Sequence, residues 1–145
     1  MPDAMESMNR VTEAFNRHHL EAVVRCYGPR AALVTPSGIG EGPEQISFFW
    51  EAIMSAFPDM MATIWTGIAH GDTAVSEWTV TGTHGGPYMM PGGGDLDATG
   101  RPVVLRGSSL CSVDDGGIES HRIYYDQLEL ASQLGYAFCP YDADA

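Results

Sequence analysis

The first sixty residues of the chain place apolar side chains at helical spacing. Asp3 followed by Glu6 resembles a helix-capping box, and Gly28-Pro29 and Pro58 are typical helix stops. The pattern predicts a helix over 3–17, a second over 20–27, short strands over 31–35 and 39–41, and a third helix over 43–57. Apolar stripes on the first and third helices contain Phe15 and Trp50, which we expect to face the interior.

From residue 60 onward the pattern changes to that of strands. Predicted strands cover 60–70, 73–84, 101–113 and 118–130, and Gly71-Asp72 is a hairpin signal between the first two. The segment 85–100 is rich in Gly and Pro and predicts a long loop, while 131–135 predicts one helical turn before an acidic tail. Helices followed by antiparallel strands predict an α+β fold with a curved sheet packed on helices, as a single domain over 1–145 with its core at about 8–135.

The stretch Ile118 to Leu130 contains the candidate chemistry. Regular strand alternation puts Asp126 on one face with four apolar side chains, namely Ile118, Tyr124, Leu128 and Leu130. Burial favours the protonated form of a carboxylate and can make it a general base near neutral pH. Alternatively, Asp126 begins the turn after the strand, or is held by a hydrogen bond or by Arg122.

The charge balance limits the classes of partner. Seven Lys and Arg against nineteen Asp and Glu give a formal net charge of −12, which repels nucleic-acid backbones and anionic membranes.

Cys26, Cys111 and Cys139 form no CxxC pair, so neither a disulfide framework nor a zinc site is expected. The five histidines show no metal-ligand spacing, and Ser108-Ser109 lacks a nucleophile context. With no apolar run of about twenty residues, we expect a soluble cytoplasmic protein.

Several short motifs, in order, carry a family resemblance over about Met8 to Gly135. They are Phe57-Pro58-Asp59, Gly82-Thr83-His84-Gly85, Thr99-Gly100-Arg101, Gly117-Ile118-Glu119 running on to Tyr125-Asp126, and Gln133-Leu134-Gly135. The chain resembles the SnoaL-like polyketide cyclases, within the nuclear transport factor 2-like superfamily of cone-shaped α+β domains. It departs from the family pattern in the loop 91–95 and in Ala98, where a proline is common.

The resemblance implies a cofactor-free intramolecular aldol closure of an apolar polycyclic carbonyl substrate. Asp126 then corresponds to the aspartate acting as general acid and base, and His84 to a histidine at the pocket mouth that donates to a substrate oxygen. Similar proteins commonly form dimers or higher homo-oligomers across the outer sheet. The same fold also includes epoxide hydrolases, ketosteroid isomerases, hydroxylases and non-catalytic binders, so these alternatives stay open.

Further residues are candidates for contact with a ligand. Trp78 shares a strand face with Ala74 and Val80 and is expected in the core or a pocket wall, whereas Arg106 would turn inward only at a bulge. The predicted substrate-binding residues are Tyr124, Trp78, Trp50, Phe15, Met89, Met90 and Arg106. An epoxide-opening arrangement would need Arg106 beside Asp126 and a second acid.

Overall fold

The computed structural model describes residues 3–91 and 93–142. The helices are α1 (Ala4–Asn16), α2 (Leu20–Arg25), α3 (Gly42–Ala56) and α4 (Gln127–Gln133). The strands are β1 (Tyr27–Thr35), β2 (Gly38–Glu41), β3 (Met61–His70), β4 (Thr73–Thr83), β5 (Tyr88–Met89), β6 (Asp95–Leu96), β7 (Pro102–Asp114) and β8 (Gly117–Tyr125).

Six strands form one curved, mixed sheet in the order β2-β1-β8-β7-β4-β3. Only the β1–β8 pair is parallel among these neighbours, and β5 pairs with β6 in a separate small hairpin. Register shifts in β3 and β8 mark bulges, which bend a sheet and increase its twist. The predicted α+β class is confirmed.

The N-terminal helices cover one face of this sheet. The Asp3 carboxylate accepts from the Glu6 backbone N–H at 2.9 Å, so the predicted start of α1 is confirmed. The apolar stripe of α1, including Met8 and Phe15, packs towards the sheet, and α3 adds the buried Trp50. In the described residues we find no helix both long and apolar enough to cross a bilayer.

A one-residue bulge in β8 reverses the predicted phase of that strand. Val113 pairs with Ile118 and Ser112 with Ser120, so Glu119 is an extra residue. Because side chains alternate between faces, one inserted residue exchanges the faces of everything after it. His121, Ile123 and Tyr125 therefore face the helices, and Tyr124 faces away.

Two predicted element boundaries are wrong, one at the end of α2 and one at the end of β8. Tyr27 begins β1 instead of ending α2, and β8 ends at Tyr125 instead of reaching Leu130. Residues 127–133 form α4 because Asp126 caps a helix there. The loop prediction over 85–100 is otherwise confirmed, apart from the β5–β6 hairpin within it.

Candidate active site

A small apolar cavity of about 110 Å³, the inner cavity, lies between the helices and the sheet. It is lined by Met8, Val11, Thr12, Phe15, Phe49, Trp50, Ile53, Phe57, Met60, Ala62, Ile64, Ser76, Trp78, Val80, Leu105, Ser109, His121, Ile123, Tyr125 and Leu130. None of these described lining residues is Asp or Glu. The inner cavity therefore offers imidazole, indole and hydroxyl groups, but no carboxylate.

Three buried side chains form a hydrogen-bonded chain that ends in this cavity. The Trp50 Nε1–H donates to the Tyr27 hydroxyl at 3.3 Å, and that hydroxyl lies 2.7 Å from His121 Nδ1. An indole N–H can only donate, so the Tyr27 oxygen accepts from Trp50. Among the described residues the Tyr27 hydroxyl proton has no acceptor other than His121 Nδ1, so we assign its donation to that nitrogen. This polarity leaves the proton of His121 on Nε2, the ring nitrogen turned away from the Tyr27 hydroxyl.

Burial keeps the hydrogen-bonded side chains of His121 and Tyr27 uncharged. His121 is 5% exposed, and desolvation lowers its pKa from 6.5 to about 4. The same effect raises the pKa of Tyr27 far above its usual range, although the Trp50 N–H partly opposes it. His121 is thus an uncharged Nε2–H donor at neutral pH, suited to bind a carbonyl or enolate oxygen.

A second polar group lies on β4 and β7. The Trp78 Nε1–H donates to Ser109 Oγ at 2.8 Å, and the buried Ser76 Oγ, opposite Ser109 in the sheet, has no partner in the described part of the chain. The Trp78 ring lies over Gly107, where a Cβ would come within 2.5 Å of it. Glycine at 107 therefore fixes one wall of the cavity.

A wider hollow, the outer hollow, opens next to the inner cavity. It measures about 830 Å³ and is bounded by the β1–β2 turn, α3 and the β5–β6 hairpin. Phe49 and Ile53 line both spaces, which makes them neighbours with a shared wall. Glu44 and Asp95 lie at the outer hollow, and no Lys or Arg does among the described residues.

Hydroxyl groups lie where the two spaces meet. The Tyr125 hydroxyl is 3.1 Å from Ser37 Oγ, and Gln127 Nε2 donates to the same Ser37 oxygen at 3.4 Å. Tyr125 lines the inner cavity, whereas Ser37 and Gln127 line the outer hollow. Burial raises the pKa of Tyr125, so its hydroxyl stays protonated at neutral pH.

The chain as a whole matches a family model, that of the SnoaL-like polyketide cyclases, over residues 6–134. The chain belongs to this family. Membership supports a cyclase-type role for the chain. A search of curated proteins gave no match.

Solved structures with the nuclear transport factor 2-like fold are similar over nearly the whole chain. IdmH from Streptomyces antibioticus, a proposed polyketide cyclase, is 26% identical with a TM-score of 0.75, over 91% of this chain and 98% of that one. A proposed SnoaL-like cyclase from Jannaschia sp. CCS1 is 18% identical with a TM-score of 0.78, over 94% and 96%. AclR from Streptomyces galilaeus, a proposed hydroxylase, is 21% identical with a TM-score of 0.78, over 90% and 94%.

Asp126 does not lie on a buried strand face, and that expectation is wrong. It is exposed, and its Oδ1 accepts from the backbone N–H groups of Leu128 at 2.8 Å and Glu129 at 3.2 Å. It lines neither the inner cavity nor the outer hollow. The alternative that it begins the turn after the strand describes its position, as the N-cap of the SnoaL-like domain's α4.

His84 is buried in the core and lines neither space, so its predicted place at the pocket mouth is wrong. The Thr99 backbone N–H donates to His84 Nδ1 at 3.2 Å, and the ring lies against Phe57 with centroids 5.5 Å apart. Backbone hydrogen bonds also join His84 to Gly100 and Arg101. These contacts close the base of the 85–100 loop.

The predicted substrate-binding residues lie in three different places, at the inner cavity, at the outer hollow and on the sheet face turned away from the helices. Phe15, Trp50 and Trp78 line the inner cavity, and Met89 and Met90 line the outer hollow. Tyr124 is 53% exposed on the far face, so its predicted place in the pocket is wrong. The Arg106 side chain is 79% exposed there, 4.0 Å from Glu129, and cannot reach the inner cavity, so an epoxide-opening arrangement with Asp126 is not assembled.

Sequence reasoning missed His121, Tyr27, Ser37 and Tyr125. His121 has no motif, and its inward direction depends on the bulge at Glu119. Tyr27 was placed at a helix end, and Ser37 in a turn. One available signal was Asp126 followed three residues later by Glu129 and then Leu130, which is typical of a helix start.

Proposed function

We propose that this chain catalyses an intramolecular aldol ring closure of an apolar, enolisable carbonyl substrate, with His121 as the group that binds the reacting oxygen. The observation that supports the proposal is the buried chain of hydrogen bonds from Trp50 through Tyr27 to His121, which keeps a neutral imidazole in a largely apolar cavity. A donor fixed in a space that excludes water stabilises developing negative charge more strongly than one in solution.

The closure needs no carboxylate if the substrate reacts as its enol. The enol carbon attacks a second carbonyl carbon of the same molecule, and one carbon–carbon bond forms. The attacked oxygen becomes an alkoxide that accepts the hydrogen bond from His121 Nε2–H. The proton lost by the enol hydroxyl is regained by this alkoxide, so the product is an isomer of the substrate.

A non-catalytic role in binding a small molecule is the second candidate. The lack of Asp or Glu among the described residues lining the inner cavity favours it, because no side chain there is a strong proton acceptor. Under this candidate the inner cavity would bind an apolar carbonyl compound and leave it unchanged.

Benzoylacetone separates the two candidates, because it combines one aromatic ring with an enolisable 1,3-dicarbonyl group. In D₂O the ketone and enol forms of benzoylacetone interconvert, with D₂O as the base that takes the central C–H proton and as the source of the deuteron that returns. Donation by His121 to a carbonyl oxygen should stabilise the enolate between these forms and speed the exchange. We expect catalytic amounts of the protein to accelerate this exchange at least about a hundredfold over buffer, measured by proton NMR. Binding in calorimetry without acceleration would favour the non-catalytic candidate.

We also propose that the protein self-associates through the sheet face turned away from the helices. Apolar side chains stay exposed there on β3 and β7, which flank β4, including Trp65 at 70%, Ile68 at 67% and Val104 at 52%. An apolar patch of this kind is typical of protein interfaces.

Ile68→Asp should therefore reduce the molar mass measured by light scattering after size-exclusion chromatography to that of one chain. Ile39→Asp is the matched control, because Ile39 is equally exposed at 65% but lines the outer hollow. Its molar mass should equal that of the unaltered protein. A single-chain mass for the unaltered protein over a wide concentration range would contradict self-association through this face.

A further inference from the structure

Three of the chain's arginines surround one hollow on the surface, the basic hollow. It measures about 560 Å³ and lies between α1, α2 and the first residue of β8, Gly117. The chain has seven basic residues, all of them arginine, against nineteen acidic ones. Arg10, Arg17 and Arg25 line the basic hollow, and among the described residues the one carboxylate there is that of Glu13. This part of an acidic protein therefore carries a net positive charge.

The spacing of residues on the two helices brings these charges together. Arg10, Ala14 and Arg17 follow one another by four and three residues, so they lie along one face of α1 and its C-cap. Arg25 ends α2, which packs against α1. Ala14 and Ala22 also line the basic hollow, and their short side chains leave the space that the longer arginine side chains surround.

The protein itself does not neutralise these charges. Within residues 3–91 and 93–142, none of the three guanidinium groups lies within 4.0 Å of a carboxylate, and the one ion pair joins Arg106 to Glu129. Burial raises the pKa of the Cys26 thiol in the wall of the hollow, and Arg10 and Arg25 both oppose this rise. Two guanidinium groups therefore act on the same point, where an anion would be attracted by both.

Two further groups add hydrogen-bond donors to the basic hollow. The Ala22 backbone N–H donates to His19 Nδ1 at 3.0 Å, so this imidazole carries a proton on Nε2. His19 lines the hollow, as does Ser7 with its hydroxyl. The hollow thus combines three guanidinium groups with an imidazole and a hydroxyl.

We propose that the basic hollow is a second binding site, which takes a small molecule carrying a phosphate or diphosphate group. A guanidinium group donates two parallel hydrogen bonds to phosphate oxygens, and three such groups match a multiply charged anion better than a single carboxylate. At about 560 Å³ the hollow has the size of a small-molecule site and leaves room for an organic part beside the phosphates. No described residue lines both the basic hollow and the inner cavity, so this inference does not depend on the proposed function.

The charge of the remaining surface favours a small ligand over an extended polyanion. The formal net charge of the chain is −12, although the basic hollow is positive. A nucleic acid or an anionic membrane extends beyond the hollow and would meet this acidic surface. A small phosphate compound contacts the arginines without that repulsion.

Calorimetric titration with two probes tests the inference. Inorganic pyrophosphate supplies the diphosphate group alone, and adenosine 5′-diphosphate carries the same group on an organic body. Both are titrated in EDTA at about 0.15 M salt, where screening over about 8 Å suppresses attraction by distant charges. We expect saturable binding of one molecule per chain. Tighter binding of adenosine 5′-diphosphate would support an organic phosphate ester as the ligand, and equal or weaker binding would support an inorganic phosphate in the same site.

Arg10→Gln and Arg25→Gln should each raise the dissociation constant of pyrophosphate about tenfold, because each removes charge-assisted hydrogen bonds. Arg122→Gln is the matched control, since it removes the same charge from an exposed arginine that does not line the basic hollow. In this variant the dissociation constant should change less than about twofold.

Glu13→Gln should have the opposite effect. It removes the carboxylate at the basic hollow, and the loss of its repulsion should lower the dissociation constant of pyrophosphate about threefold. Glu51→Gln makes the same change in net charge at an exposed position of α3 away from the hollow, and it should leave the dissociation constant unchanged.

Absence of saturable binding of both probes at millimolar concentration would overturn the inference. So would equal weakening by Arg10→Gln, Arg25→Gln and Arg122→Gln, because binding would then follow net charge and not the basic hollow. The substituted side chains are all exposed, so every variant should keep the fold of the unaltered protein, which circular dichroism checks.

Discussion

Replacing His121 with Asn should return the rate of benzoylacetone exchange to near its value in buffer, because removal of one oxyanion donor usually costs about 10²–10³-fold. The asparagine amide can stay near the Tyr27 hydroxyl, as Nδ1 does, but it does not extend to the position of Nε2. His121→Gln is longer and can place an amide N–H close to that position. We expect it to recover part of the rate, which loss of structure alone would not explain.

Asp126→Asn serves as the control for the competing assignment. Asparagine is as good an N-cap as aspartate, so the carbonyl oxygen should still accept from Leu128 and Glu129 and α4 should persist. Exchange should fall less than about twofold in this variant. A loss as large as that of His121→Asn would restore Asp126 as the general acid and base and reject the role given to His121.

Most of the fold could be predicted because apolar periodicity follows directly from which face of an element is buried. Asp3 marked the start of α1, and the stripes containing Phe15 and Trp50 identified helix faces that line the inner cavity. In β7, regular alternation places Val103 and Leu105 inside, and Arg106 faces outward because no bulge turns it inward. These predictions needed only local geometry and the burial of apolar surface.

The candidate site could not be predicted in the same way, because it depends on one irregularity in β8. Glu119 is an ordinary strand residue in sequence, yet its bulge turns His121 and Tyr125 inward and Tyr124 outward. A bulge is set by pairing with β7 and β1, which no local pattern records. Asp126 was misplaced for a second reason, because the predicted strand alternation extended into residues that form α4.

The long-range partners of the site were equally hidden. Tyr27 and His121 are 94 residues apart, and Ser37 and Tyr125 are 88 apart. Their pairing follows from the parallel contact between β1 and β8, which requires the intervening sheet and helices to be in place. The family resemblance supplied the fold but assigned Asp126 and His84, which in this chain cap a helix and close a loop.

Acid should destabilise the protein between pH 6.5 and about 4 through His121, and this effect should vanish in His121→Asn. The buried imidazole has a pKa of about 4 against 6.5 in the unfolded chain, because desolvation disfavours its charged form. Within this window the unfolded state binds a proton that the folded state does not. The free energy of unfolding therefore falls as pH falls, by about 1.4 kcal/mol per pH unit and about 3 kcal/mol in all.

Urea denaturation at pH 7, 6, 5 and 4.5 gives the free energy of unfolding at each pH. The contribution of His121 is the difference between the slopes of this free energy against pH for the unaltered protein and for His121→Asn. The carboxylates that also titrate in acid are common to both proteins and cancel. Tyr27 and Cys111, which face His121, do not titrate in this window, because burial raises the pKa of both, to about 11 for Cys111. Parallel slopes would mean that His121 takes up a proton as readily in the folded state as in the unfolded state. His121 would then not be held as a neutral donor, and the proposed chemistry, which depends on one, would be rejected.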